Sequence, residues 1–303
     1  MPELPDIELY LHALRPRIGG RRLQRVRVRS PFLLRSHDPR LGEAEGRSVL
    51  EHRRLGKRIV FVLEGDLFLV LHLMIAGRLD WQRPGASVPK KHGLAAFDFA
   101  NGTLLLREAS LRKRAGLWLV RGEAELSRHD PGGLELLGSR ATEFSERLRA
   151  NSHTLKRALS DPTLFSGIGN AFSDEILHRA QLSPFALTGR IGDEECARLH
   201  RACVDVLSEW AERLIADCGE AFPKKVTAFR PEMNVHGKYG QPCPRCEHPV
   251  QRIVHASNET NYCPGCQTDG KIYADRSLSR LLGKDWPRNL DGLDEFEARY
   301  RKG

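Results

Sequence analysis

The stretch CPRCEHPVQRIVHASNETNYCPGC, residues 243–266, carries the strongest pattern in the chain. Cys243, Cys246, Cys263 and Cys266 stand in it as C-x2-C-x16-C-x2-C. One C-x2-C knuckle can put two thiolates on an ion, and two knuckles complete a closed tetrahedral site of four. The residues between the knuckles alternate in character, which predicts a two-stranded hairpin. A disulfide reading needs an oxidising compartment, for which the chain shows no sign. A redox pair is the other alternative, but two matched pairs favour one structural Zn2+ per chain. Such a site does no chemistry itself; it holds a small hairpin rigid, commonly against nucleic acid. The other three cysteines, Cys196, Cys203 and Cys218, are isolated in helical sequence and read as ordinary buried thiols.

Upstream, LFSGIGNAFSDEILHRA (164–180) places Gly167-Ile168-Gly169-Asn170 just before an amphipathic run. Two glycines and an asparagine permit a tight turn whose backbone N–H groups converge on an anion near the helix N-terminus. Alone, the tetrapeptide reads more simply as a capped turn without ligand. Helical periodicity also covers 143–160 and 193–217, with Pro184 and Gly189 as punctuation. HDPGGLELLGS (129–139) reads as a linker, and residues 218–242 as a loop leading to the cysteines.

Residues 23–120 read as strands. RIVFVLEGDLFLVLHLMIAGRLDW (58–81) is two apolar runs broken at Glu64-Gly65-Asp66, and Asn101-Gly102 suits a type I′ hairpin turn. Before them, Ile7, Leu9, Leu11 and Leu14 predict a short helix over 7–14. The expected fold is therefore α+β: a short helix, an antiparallel β-sandwich, a helical region and a four-cysteine hairpin.

Apolar residues at 40% and charged residues at 29% fit a folded chain of 303 residues rather than a disordered one. No stretch approaches the roughly 18 consecutive apolar residues of a membrane span. The start carries two acids and no basic segment, so a signal peptide is not expected and a cytoplasmic protein is. The net charge of +9 is unevenly spread: residues 1–120 hold 22 basic and 12 acidic residues, while 121–230 hold 15 and 17. A basic segment beside a near-neutral one suggests a polyanion on one face, against the alternative of a merely soluble basic surface.

MPELPD at 1–6, LGKRI at 55–59, LKRAL at 155–159, GIGNAFSDEIL at 167–177 and the four cysteines occur in an order that resembles the formamidopyrimidine-DNA glycosylase / endonuclease VIII family of base-excision repair enzymes. The likeness spans residues 1 to about 270. It implies a catalytic β-sandwich domain at 1–128, a helix–two-turn–helix DNA-binding domain at 129–230, a zinc finger at 231–271 and an extension of unassigned role at 272–303. It further implies damaged double-stranded DNA as partner, a monomer, no membrane, and association with the nucleoid.

The opening residues then acquire a reason. Excising a base and nicking the strand through a Schiff base needs an amine that is partly unprotonated near neutral pH. A chain terminus, ordinarily near about 7.7–8.0, suits this better than a lysine at about 10.4. Proline at the second position favours removal of the initiator methionine. By resemblance Pro2 is then the nucleophile, Glu3 the acid/base and Lys57 a lysine that approaches the lesion and its phosphate. Asp6, where the family often has glutamate, is expected to orient the first helix only. Asn170 and Lys156 resemble phosphate-binding residues, and Glu175 a family glutamate that equally suits a cap-region acid. His72 and His92 stand at plausible groove positions, where a structural histidine fits as well.

Three departures stand out. Asn258 occupies the finger position where the family has an arginine gripping phosphates; an amide supplies neither the charge nor the bidentate fork, unless Arg252 or Lys271 substitutes. The wedge that fills the space left by a flipped base is altered: HLMIAG shifts Met74 and puts Ile75 in the aligned place, and LRKRAG has Ala115 in place of phenylalanine, leaving Met74, Arg112 and Arg114 as candidates. The loop before the finger also differs, so the preferred lesion does not transfer. The expected activity is a bifunctional DNA glycosylase/AP lyase acting on oxidised or ring-opened bases. The alternatives are a catalytically weak or inactive member that binds abasic DNA and, less favoured, a zinc-ribbon RNA-binding protein.

Overall fold

The computed structural model describes residues 1–110, 112–255, 258–274, 283 and 286–293. The first helix, α1, spans Leu4–Ile18 and is longer at both ends than its apolar spacing predicted. Its start is fixed by polar chemistry rather than periodicity. Glu3 takes the N-cap position and the Asp6 carboxylate accepts from the Glu3 N–H at 3.0 Å. Pro5 falls in the first turn, where a missing N–H costs nothing.

Eight strands follow: β1 Arg25–Val28, β2 Val49–Leu55, β3 Arg58–Leu63, β4 Leu67–His72, β5 Gly77–Gln82, β6 Gly93–Phe99, β7 Gly102–Glu108 and β8 Gly116–Arg121. They form two four-stranded antiparallel sheets in the orders β1-β6-β7-β5 and β2-β3-β4-β8. Phe61 of β3 meets Phe97 of β6 edge to face at 6.4 Å between centroids, which marks the inner layer. The outer face of the second sheet is also covered. Val60, Phe68, Val70 and Val120 pack under Leu126 of α2 (Glu123–Ser127), with Trp118 beside them. Burial on both faces explains why β3 and β4 are continuous apolar runs instead of alternating ones.

The Asn101-Gly102 expectation needs correcting. Neither residue takes a positive φ, which a type I′ turn requires at both central positions. Gly102 instead begins β7, paired with Phe99. It is glycine because the Trp81 indole lies against it: a Cβ there would meet Trp81 Cζ2 at 2.2 Å. Asn101 Nδ2 donates to the Arg17 carbonyl of α1 at 3.0 Å.

The helical part contains α3 (Ala141–Arg149), α4 (Leu155–Ser160), α5 (Asn170–Ala180) and α6 (Asp193–Cys218). The single run expected over 143–160 is thus two helices. Thr188 Oγ1 donates to Asn151 O at 2.7 Å and Thr188 N–H to His153 O at 2.9 Å, capturing the intervening backbone. Thr154 then caps α4, accepting from Arg157 N–H. No strand or α-helix interrupts 219–250. The hairpin expected between the knuckles is present as β9 (Gln251–His255) and β10 (Asn258–Tyr262), followed by the short α7 (Pro264–Gln267).

The chain divides into two compact units, Met1–Gly133 with Leu207–Ala228, and Leu134–Val206 with the chain from Phe229 onward. Most of the expected extension at 272–303 lies outside the described residues. Among those described, no helix is long and apolar enough to cross a membrane.

The Gly102 contact makes a test of the sandwich. Gly102→Ala is expected to cost about 1–3 kcal/mol by overpacking against a rigid ring. Denaturant unfolding measures it, and the loss should shrink when Trp81 is also cut to a smaller apolar residue.

Candidate active site and metal centre

In the first unit, α1 positions the chain terminus. Pro2 is buried, and Glu3 and Asp6 are each only 2% exposed. The N-terminus of a helix favours negative charge, so carboxylates are well placed at this end of α1. Burial holds the terminal amine, here that of Met1, below its ordinary 8.0; Arg78 and Lys57 act in the same direction, while Glu3 and Asp6 oppose. Lys57 follows Gly56 in the β2–β3 turn and is itself buried. Desolvation lowers its pKa from 10.5, with the Glu3 carboxylate working the other way. The structure thus gathers an amine, a carboxylate and a lysine within electrostatic reach of one another. Both amines are shifted towards the neutral form that a nucleophile or proton carrier needs.

His72 closes β4 opposite Arg58. Burial, then the Arg58 and Lys57 cations, lowers it to about 4. Met74 takes φ 52° and Ile75 is 55% exposed, so the strand end offers an apolar tip. The loop after β7, where gap-filling side chains were expected, is held by Glu108, a residue the sequence reading passed over. Its carboxylate, 1% exposed, accepts from Arg114 N–H at 2.9 Å and Ala115 N–H at 3.2 Å. Arg112 and Arg114 are left at the surface, while Ala115 is buried. An acid ending the apolar run LLLRE was the available signal. His92 is half-buried, ahead of β6.

In the second unit, Gly167 has φ 82°, a conformation that favours glycine, and Gly169 is the N-cap of α5. Asn170 is the first helical residue and half-buried. Lys156 Nζ donates to Asn170 O and to Asp174 Oδ1, each at 2.6 Å, so two of the three ammonium protons are bonded among the described residues. Asp174 is itself buried, with Oδ2 2.8 Å from His236 Nδ1 and accepting from Asn261 Nδ2 at 3.2 Å. Glu175 is no cap: its carboxylate accepts from Asn234 N–H, Asn234 Nδ2, Val235 N–H and His236 N–H, all at 2.9 Å. It therefore fixes the loop that precedes the finger. Asn258 is exposed at the start of β10.

The four knuckle sulfurs lie within 4.8 Å of one another. The Cys243–Cys266 pair is 3.9 Å apart, Cys246–Cys266 3.4 Å and Cys246–Cys263 3.3 Å. A tetrahedral zinc with Zn–S bonds of about 2.3 Å spaces its sulfurs by about 3.8 Å, so the donor set and its spacing fit this metal. Val235 and Val250 pack around the cysteines as a small apolar core.

Buried acids at the head of the first helix, a Gly-x-Gly-Asn turn at a helix N-terminus and a four-cysteine hairpin whose spacing fits zinc together define a zinc-containing protein of the nucleic-acid-handling class. Comparison with known proteins narrows this. Family models match the chain for the formamidopyrimidine-DNA glycosylase N-terminal domain at 1–115, the formamidopyrimidine-DNA glycosylase H2TH domain at 135–214, and the zinc finger found in FPG and IleRS at 240–268. Formamidopyrimidine-DNA glycosylase of Thermus thermophilus is 34% identical over 284 residues, covering 89% of this chain and all of that protein. The crystal structure of MutM (Fpg) from the same organism superposes with a TM-score of 0.73 at 33% identity, over 88% of this chain and 98% of that one. That of the Lactococcus lactis enzyme, non-covalently bound to an AP-site-containing DNA, gives 0.77 at 25% identity, over 88% and 99%. The chain belongs to the formamidopyrimidine-DNA glycosylase family.

His72 sets a pH dependence whose sign is fixed. Between its ordinary 6.5 and about 4 the unfolded chain binds a proton that the folded chain refuses. Stability therefore falls as pH drops through that window. Thermal unfolding at pH 7 and pH 5 should show a smaller acid-induced loss for His72→Gln than for the parent; an equal loss would mean that His72 is not the group responsible.

Proposed function

We propose that this chain is a bifunctional DNA glycosylase/AP lyase that acts as a monomer on damaged double-stranded DNA, excising oxidised or ring-opened bases. The observation that carries the reading is the buried Pro2–Glu3 pair at the head of α1, with Lys57 within electrostatic reach of Glu3. Removal of Met1 makes Pro2 the terminus. Its ring nitrogen attacks C1′ of the damaged nucleotide, the C1′–N bond to the base breaks, and the base leaves with a proton. The C1′–O4′ bond then opens as O4′ takes a proton, and the resulting C1′ iminium on Pro2 acidifies C2′–H. Loss of that proton expels the 3′ phosphate by cleavage of C3′–O, and water then releases Pro2. Glu3 manages protons at the opened sugar, and Lys57 approaches the lesion and its phosphate.

Lys156, Asn170, His92, Arg112 and Asn258 are the proposed DNA contacts. For Asn170 the support is its place at the N-terminus of an 11-residue helix, behind a turn built to bring N–H groups to an anion. For Lys156 it is the place of its ammonium beside that turn, bonded to Asn170 O. Cys243, Cys246, Cys263 and Cys266 hold zinc, which supplies rigidity to the hairpin and no step of the reaction. The neutral amide of Asn258 implies a looser grip on the flanking phosphates than a guanidinium would give.

Two experiments test this reading. Borohydride reduction with abasic-site DNA should trap a covalent adduct whose peptide map ends at Pro2. Glu3→Gln should lower base excision by about 10²–10⁴-fold while abasic-DNA binding persists. Binding without any adduct would leave a non-catalytic binder of damaged DNA. Separately, Asn258→Arg is expected to tighten binding and to steepen the log–log salt dependence by about 0.9, one further phosphate contact. An unchanged slope would remove Asn258 from the interface.

A further inference from the structure

The four-cysteine cluster is hydrogen-bonded to the far end of the helix that begins with Asn170. His178 lies in the last turn of α5, is 2% exposed, and its Nε2 stands 3.2 Å from Cys243 Sγ, a sulfur whose residue is 1% exposed. Two further bonds join the same regions. Arg245, inside the first knuckle, reaches Arg179 O at 3.4 Å. Gln267, just past the second, donates to Leu182 O at 3.0 Å and accepts from Cys263 N–H at 2.8 Å. Both knuckles are therefore attached where α5 ends.

A thiolate that ligates zinc has no proton to give, so the pair His178–Cys243 is a hydrogen bond only if the imidazole carries its proton on Nε2. Four thiolates on one divalent ion leave an anionic cluster, and burial makes that charge costly unless donors surround it. Backbone N–H groups do part of this work: Arg245 N–H lies 3.5 Å from Cys243 Sγ and Cys266 N–H 3.4 Å from Cys263 Sγ. A second imidazole, His248, has Nδ1 3.4 Å from Cys246 Sγ, but it is exposed and solvent can replace it. His178 is sealed away from that competition. We propose that His178 is a positioning residue of the zinc site, donating Nε2–H to the Cys243 thiolate and so holding the metal on the helix that carries Asn170. This role is independent of the glycosylase reaction.

Zinc transfer to an excess of a colorimetric chelator reads the proposal directly, without DNA. His178→Phe keeps a ring of similar size but removes the donor, while His178→Gln returns an N–H near the position of Nε2. Groups that hydrogen-bond to metal ligands typically contribute about 10–100-fold to metal affinity. Zinc release from the zinc-loaded Phe variant is therefore expected to be faster by about that factor, with the Gln variant close to the parent. A folded Phe variant that keeps zinc as the parent does would overturn the proposal, as would a Gln variant no better than Phe. Nitrogen NMR of the imidazoles in the zinc-loaded parent needs no substitution: a protonated Nε2 on His178 is expected, and a proton on Nδ1 alone refutes it even if the variants fail to fold.

Discussion

Two adjacent carboxylates buried in the middle of a helix constrain the whole second unit. Asp174 and Glu175 are 1% and 2% exposed, and neither charge is tolerable there without donors. Being neighbours on α5, they face different ways and recruit different partners. Asp174 takes the Lys156 ammonium from α4, with His236 and the Asn261 amide from β10. Glu175 takes three consecutive backbone N–H groups and one side-chain amide from residues 234–236. Helix, preceding helix, loop and finger hairpin are thereby bound through one short segment. Breaking such a buried ion pair from one side typically costs about 3–5 kcal/mol, because the other charge stays buried.

The same economy operates at the chain start. Glu3 serves as the N-cap position of α1, and Asp6 answers by accepting from the Glu3 N–H. The capping arrangement that begins the helix also sets the geometry next to Pro2. A shorter acid at position 6 is adequate for this, since its partner is a backbone N–H one helical turn away. Burial also disfavours the charged forms of the Met1 amine and of Lys57.

The loop after β7 follows a similar logic. The Glu108 carboxylate fixes two backbone N–H groups, so the tip is held from within while Arg112 and Arg114 remain outside. After β4, Ile75 presents an exposed apolar side chain. In the same hairpin as Asn258, Arg252 is a cation on β9. Arg252 stacks on Tyr239 at 4.7 Å and lies 3.6 Å from Glu259, so part of its charge is already answered within the protein.

Local chemistry was legible in the sequence. The knuckle spacing, the Gly-x-Gly-Asn turn and the strand runs depend on local patterns, and they stand in the structure where those patterns placed them. What failed or went unseen depends on distant partners. Asn101-Gly102 has the letters of one turn, but Trp81 claims the glycine for packing. A continuous helix over 143–160 was the local preference, and Thr188 broke it by capturing the backbone at 151 and 153. His178 and Glu108 are ordinary as letters, and gain meaning only when folding places a sulfur or two amides against them. Sequence alone determined which groups this protein possesses. The tertiary structure decided which of them are buried together, because desolvation and hydrogen bonding act across space rather than along the chain.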